Sequence, residues 1–106
     1  MGLLQLLSLW GRTERLSEIA QHIAERSQRE VVQQTAGRMN SMSNAERRGY
    51  IRARAAAAIH RETDVALRVY GQLRASDRAV LVELATQAVI ATVFAANVPI
   101  RHSRAA

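Results

Sequence analysis

Turn residues are so scarce in this chain that few ways of folding remain open. Proline occurs once, at Pro99, and the five glycines are scattered singly over 106 residues. A sheet needs a reversal every few residues, and glycine and proline are the strongest markers of such reversals. Alanine fills 19 positions and aromatic residues make up only 4% of the chain. Alanine is the best helix former, whereas aromatic and β-branched residues are the ones strands favour. The chain is therefore expected to be all-α, as one domain of a size that buries roughly two-thirds of its unfolded surface.

Apolar spacing and capping signals divide the chain into segments. Thr13 reads as an N-cap with Glu14 in the first turn, and Leu16, Ile19, Ala20 and Ile23 follow at helical spacing. Ser27, Glu30 and Gln34 then interrupt that face, while Val31, Val32, Thr35 and Ala36 carry it around the axis. Gly37 suits the left-handed residue that ends a helix. Ser43-Asn44-Ala45-Glu46 is a capping box, in which hydroxyl and carboxylate each satisfy the other residue's amide. The helix it opens carries Ile51, Ala55, Ala58, Ile59, Val65, Ala66, Val69 and Leu73 on one stripe, with Gly71 or Thr63-Asp64 as points of bending. Ser76-Asp77 opens a third helix, closed before Pro99. The expected architecture is a small up-and-down helical bundle of three helices, at about 13–36, 44–74 and 77–97. An apolar N-terminal arm or short helix over 1–11 precedes the bundle domain at 12–98, and a basic flexible tail at 99–106 follows it.

Two segments carry more apolar surface than a small bundle needs. Met1–Gly11 is uncharged and leucine-rich, with Leu3, Leu6, Leu7 and Trp10 on one side of a helix. It lacks the basic start and small-residue cleavage site of a signal peptide, and Leu6 stands where a myristoylation signal wants Ser or Thr. The segment is far shorter than the roughly 20 residues that span a bilayer. It reads as an arm docked on this or a neighbouring subunit, with an interfacial membrane anchor as the alternative. The third helix is apolar nearly all round, and Ala79–Ile100 is long enough to span. Glu83, Thr86, Gln87, Thr92 and Asn97 interrupt it, which favours a core helix, since a carboxylate in lipid costs a few kcal/mol.

Catalysis is not expected. Cysteine is absent, all fifteen basic residues are arginine, and no nucleophile–base pair or glycine-rich phosphate loop occurs. No cofactor motif is present. His22, His60 and His102 stand apart, and Glu18-x-x-x-His22 departs from the Glu-x-x-His spacing of a di-metal bundle. Glu62 falls within the second helix's apolar stripe, where a carboxylate calls for an arginine partner, either at the helix edge or as a buried pair that fixes register.

The formal charge of +6 is concentrated in the middle of the chain, where residues 43–78 hold eight arginines against four acids. Arg47, Arg48, Arg52 and Arg54 cluster around Tyr50, a weak nucleic-acid signal without a fold signature. Arg47, Arg54, Arg61 and Arg68 recur every seven residues along one flank of the apolar stripe. Glu14, Glu18 and Glu25 form an acidic row on the first helix, away from its core face. In coiled coils, flanking rows of this kind choose partner and orientation. The candidate interaction residues are therefore Arg47, Arg54, Arg61 and Arg68, Glu18 and Glu25, and Leu3, Leu7 and Trp10 of the arm. The expected function is that of a non-catalytic, cytoplasmic structural protein, self-associating as a homo-oligomer or docked on a larger protein assembly. An Arg-rich nucleic-acid binder and a small membrane-associated protein are the alternatives.

Overall fold

The computed structural model describes the backbone of residues 3–96 and the side chains of residues 11–96. It consists of α1 (Leu3–Thr35), α2 (Asn44–Val69) and α3 (Asp77–Ala96). Pairs between helices fix their directions. Arg26 meets Glu62 and Arg61 meets Glu30, so α1 and α2 are antiparallel. Arg78 meets Asp64 and Arg52 meets Glu83, so α3 turns back again beside α2. The result is the expected all-α, up-and-down bundle, in which every helix packs on the other two.

The core is built from small and β-branched side chains. Ile23, Val31, Ile51, Ile59, Leu81, Val89 and Val93 are fully buried, with Ala55, Ala58 and Ala85 between them. Ser27, Thr35, Thr63 and Thr86 are buried as well, and each hydroxyl donates to the carbonyl four residues earlier in its own helix. Ser27 thus belongs to the buried face that it was expected to interrupt, because the hydrogen bond removes the cost of burying its hydroxyl. Glu30 and Gln34 stay at the edge or outside, as their charge and polarity require.

The capping signals read at the end of α1 and the start of α2 both hold. Gly37 has φ +73°, the left-handed conformation that ends α1. At α2 the Ser43 hydroxyl accepts from the Glu46 amide at 3.2 Å, and the Glu46 carboxylate accepts from the Ser43 amide at 2.9 Å.

Two boundaries differ from expectation. α1 starts at Leu3, so Gly11 and Thr13 lie inside it, and the stretch expected as a separate arm is its first two turns. A glycine inside a helix costs only about 1 kcal/mol relative to alanine, and leucine ranks among the better helix formers. That cost is too small to divide the segment. α2 stops at Val69, five residues short of the expected end. Tyr70 leaves the helix at φ −95° and ψ 96°, and a turn closes with the Leu73 amide donating to the Tyr70 carbonyl. The helix thus ends just before Gly71 instead of bending there. Asp77 opens α3 as expected, but its carboxylate accepts from the Arg74 amide and so closes the preceding turn. The tail at 99–106, with His102, lies outside the described residues.

Replacing Ser43 by Ala removes one half of the capping box and should lower stability by about 1 kcal/mol. Ile59→Ala should cost roughly 2–5 kcal/mol, since the small neighbours of Ile59 cannot collapse far into the space. Urea unfolding followed by circular dichroism checks both values, and an Ile59 variant within 1 kcal/mol of wild type contradicts the packing described here.

Candidate functional site

One end of the bundle collects its ionic and apolar features. Arg12 places its guanidinium on both carboxylate oxygens of Asp77, at 2.5 and 2.6 Å. Asp77 is the first residue of α3 and is 4% exposed. The Arg74 amide and the Arg12 guanidinium stabilise its charged form, and against the opposing effect of burial they hold its pKa below the ordinary value. Arg78, on the next residue, reaches Asp64 at 2.9 Å and lowers that carboxyl's pKa too. The turn between α2 and α3 is thereby tied to α1 on one side and to α2 on the other.

The Arg12–Asp77 pair also fixes how far α1 protrudes. α1 and α3 run parallel, and Arg12 lies level with the start of α3. Residues 3–11 therefore extend beyond it by about 13 Å at 1.5 Å per residue. The long axis of the molecule measures 54 Å. That fits α1, at about 50 Å, whereas α2 and α3 reach only about 39 and 30 Å. Leu3, Leu7 and Trp10 lie on this overhang, whose backbone is helical.

Among the described residues, the large apolar side chains that remain exposed are toward the same end. Val69 is 69% exposed at the last turn of α2, and Val80 and Leu84 are 44% and 37% exposed in the first two turns of α3. α3, read from the sequence as a core helix walled in by the other two and by a symmetry mate, buries Leu81, Ala85, Val89, Ile90 and Val93 and leaves Val80 and Leu84 exposed in one copy. Two antiparallel neighbours cover only part of a helix's circumference. By length and composition α3 is long and apolar enough to cross a membrane.

Between α1 and α2 lies a half-open groove of about 280 Å³, lined by Ile19, His22, Ile23, Val65, Val69 and Tyr70. The Arg26–Glu62 pair crosses it at 2.9 Å, and Arg61 approaches Glu62 from the other side at 3.6 Å. Glu62 is the paired helix-edge carboxylate that its position in the stripe called for.

The arginine row does not stay together as one free set. Arg47 donates from Nε to the Met39 carbonyl at 3.1 Å, holding the α1–α2 connection. Arg54 lies over the Tyr50 ring at 5.2 Å. Arg61 pairs with Glu30 at 2.9 Å, and Arg68 is exposed near Asp64. Glu18 and Glu25 are exposed on α1, as their place away from the core face requires. Sequence reasoning missed Arg12, Asp77 and Glu30, since the spacing of residues on one helix carries no information about the height of its neighbours. Among the described residues no group of three or more His, Cys, Asp or Glu side chains converges as a metal site does.

Hydrogen bonds and ion pairs also hold the carboxyls of Glu46 and Glu83 below their ordinary pKa values. The Ser43 amide and then its hydroxyl act on Glu46; Arg52 and then Gln87 act on Glu83. In the unfolded chain carboxyls titrate near pH 4. As pH falls, the unfolded state takes up protons first. The stabilisation from these four carboxyls is therefore complete above about pH 5 and disappears as pH drops through their lower native values. Thermal melts between pH 7 and pH 2 should show falling stability that begins near pH 4–5. Asp77→Asn should melt lower than wild type at pH 7 and lose less on acidification. No family model, curated protein or solved structure matches this chain.

Proposed function

We propose that the chain is a non-catalytic structural protein that works by binding other protein chains, its own copies included. The observation that supports this reading is the gathering of apolar surface at one end. The leucine-rich first turns of α1 lie beyond the start of α3, and Val69, Val80 and Leu84 are exposed in the adjoining turns of α2 and α3. Exposed apolar surface gathered at one end in this way is what an interaction site needs. The grooves among the described residues are half-open, and across the one between α1 and α2 Arg26 and Glu62 are joined in an ion pair. A cytoplasmic location accords with this reading.

A nucleic-acid reading is second. Arg48 and Arg54 stack over Phe94 and Tyr50 at 4.9 and 5.2 Å and leave their N–H groups open to phosphate. Its binding would weaken steeply with salt, because phosphate contacts release counterions. A membrane-associated reading rests on the length and composition of α3.

Sedimentation equilibrium of the purified chain, over a hundredfold range of concentration at low and high salt, tests the protein-binding reading. The expected result is a mass that rises with concentration and changes little with salt, as apolar contacts require. A monomer at every concentration, together with salt-sensitive retention on duplex or single-stranded probes, overturns it in favour of the second reading.

A further inference from the structure

We infer that the α1 overhang is the docking arm of a two-fold homodimer, in which each copy's residues 3–11 lie antiparallel against the first two turns of its partner's α3. This inference rests on the protein-binding reading above and names the partner as a second copy of the chain.

Length is the first argument. The overhang projects about 13 Å beyond Arg12, and the stretch of α3 from Asp77 to Leu84 rises about 11 Å. Two copies set base to base, overlapping by one overhang, bring Leu4 level with the partner's Leu84 and Ser8 level with the partner's Val80. The overhang cannot reach these residues in its own molecule. It continues α1 in a straight line past the Arg12–Asp77 pair, away from the bundle.

Chemistry is the second. The overhang is uncharged, with five leucines and Trp10 between Leu3 and Trp10, and so fits an apolar surface. Val80 and Leu84 supply one at the matching height. The body of the molecule is basic, with a formal charge of +6. Side-by-side packing would bring two arginine flanks together along their whole length, whereas base-to-base packing confines the contact to one end of each body.

Area is the third. Burial of a leucine-sized side chain removes roughly 60–120 Å² from water. Two overhangs together with the partner faces they cover then approach the roughly 1,200 Å² at which stable pairs begin. The contact is isologous and closes on itself, so it ends at two copies.

The test uses the full chain. Leu7→Glu in the overhang and Leu84→Glu on α3 should each raise the dimer dissociation constant at least tenfold by sedimentation. Helical content by circular dichroism should be unchanged, since Leu84 is partly exposed in one copy and residue 7 lies on the helical overhang beyond the bundle. The chain has no cysteine, so cross-linking is clean. A Leu7→Cys protein mixed with a Val80→Cys protein should form a disulfide-linked pair under mild oxidation, and a Leu7→Cys protein mixed with a Gln33→Cys protein should not. Dimers that persist at the wild-type constant in both charge variants overturn this arrangement and leave the protein-binding reading standing. A wild-type chain that is monomeric in solution but sediments with phosphatidylcholine–phosphatidylserine vesicles, and loses that binding in Leu7→Glu, overturns both in favour of a lipid partner.

Discussion

The contact between Arg12 and Asp77 decides the height at which α1 and α3 stand against each other, and much of the molecule's shape follows from that height. Apolar side chains on parallel helices pack well at more than one register, because a layer of alanine and valine resembles the layer above it. One guanidinium nitrogen held by both oxygens of a carboxylate does not slide in this way, since a shift by one turn would break both hydrogen bonds. With Asp77 also accepting from the Arg74 amide, the same carboxylate fixes the connection that returns the chain from α2. The pair is ionic and partly exposed, so it contributes more to position than to strength.

A second set of pairs does the corresponding work for α2. Glu62 draws Arg26 and Arg61 together, Glu30 takes the other side of Arg61, and Asp64 takes Arg78. These contacts run along the seams between helices, where both the arginine stems and the carboxylates can stay near water. Arginine suits the task, because its planar group bonds in two directions and its stem covers apolar surface. The absence of lysine thus has a visible structural use in this molecule, whatever its origin in the composition.

The sequence disclosed what depends on neighbours a few residues away. The capping box at Ser43 and Glu46 and the left-handed Gly37 are local, and both were legible. So was the partner requirement at Glu62, because a carboxylate within an apolar stripe has few alternatives. Gly11 and Thr13 were misleading. Each is a terminus signal in isolation, yet α1 runs through both, since the leucines before them favour helix more than one glycine disfavours it. Ser27 misled for a related reason, because a polar residue breaks an apolar face only when its hydroxyl has no carbonyl to return to. The sharing of arginines among Met39, Tyr50 and Glu30 depends on which helix stands opposite, and nothing in a single sequence states that.

The four buried hydroxyls have a consequence for how this fold can change over time. Ser27, Thr35, Thr63 and Thr86 each bond within their own helix, and among the described residues no buried side-chain nitrogen or oxygen lacks a partner. Their loss to alanine or valine therefore leaves no bereaved group on a neighbouring helix, because the backbone carbonyl that accepted the hydroxyl still has its helical amide. Cores of this kind tolerate exchange of one small side chain for another, provided total volume is kept. Lineages descended from such a chain can drift far apart in their interiors while the ion pairs along the seams continue to hold three helices at the same heights.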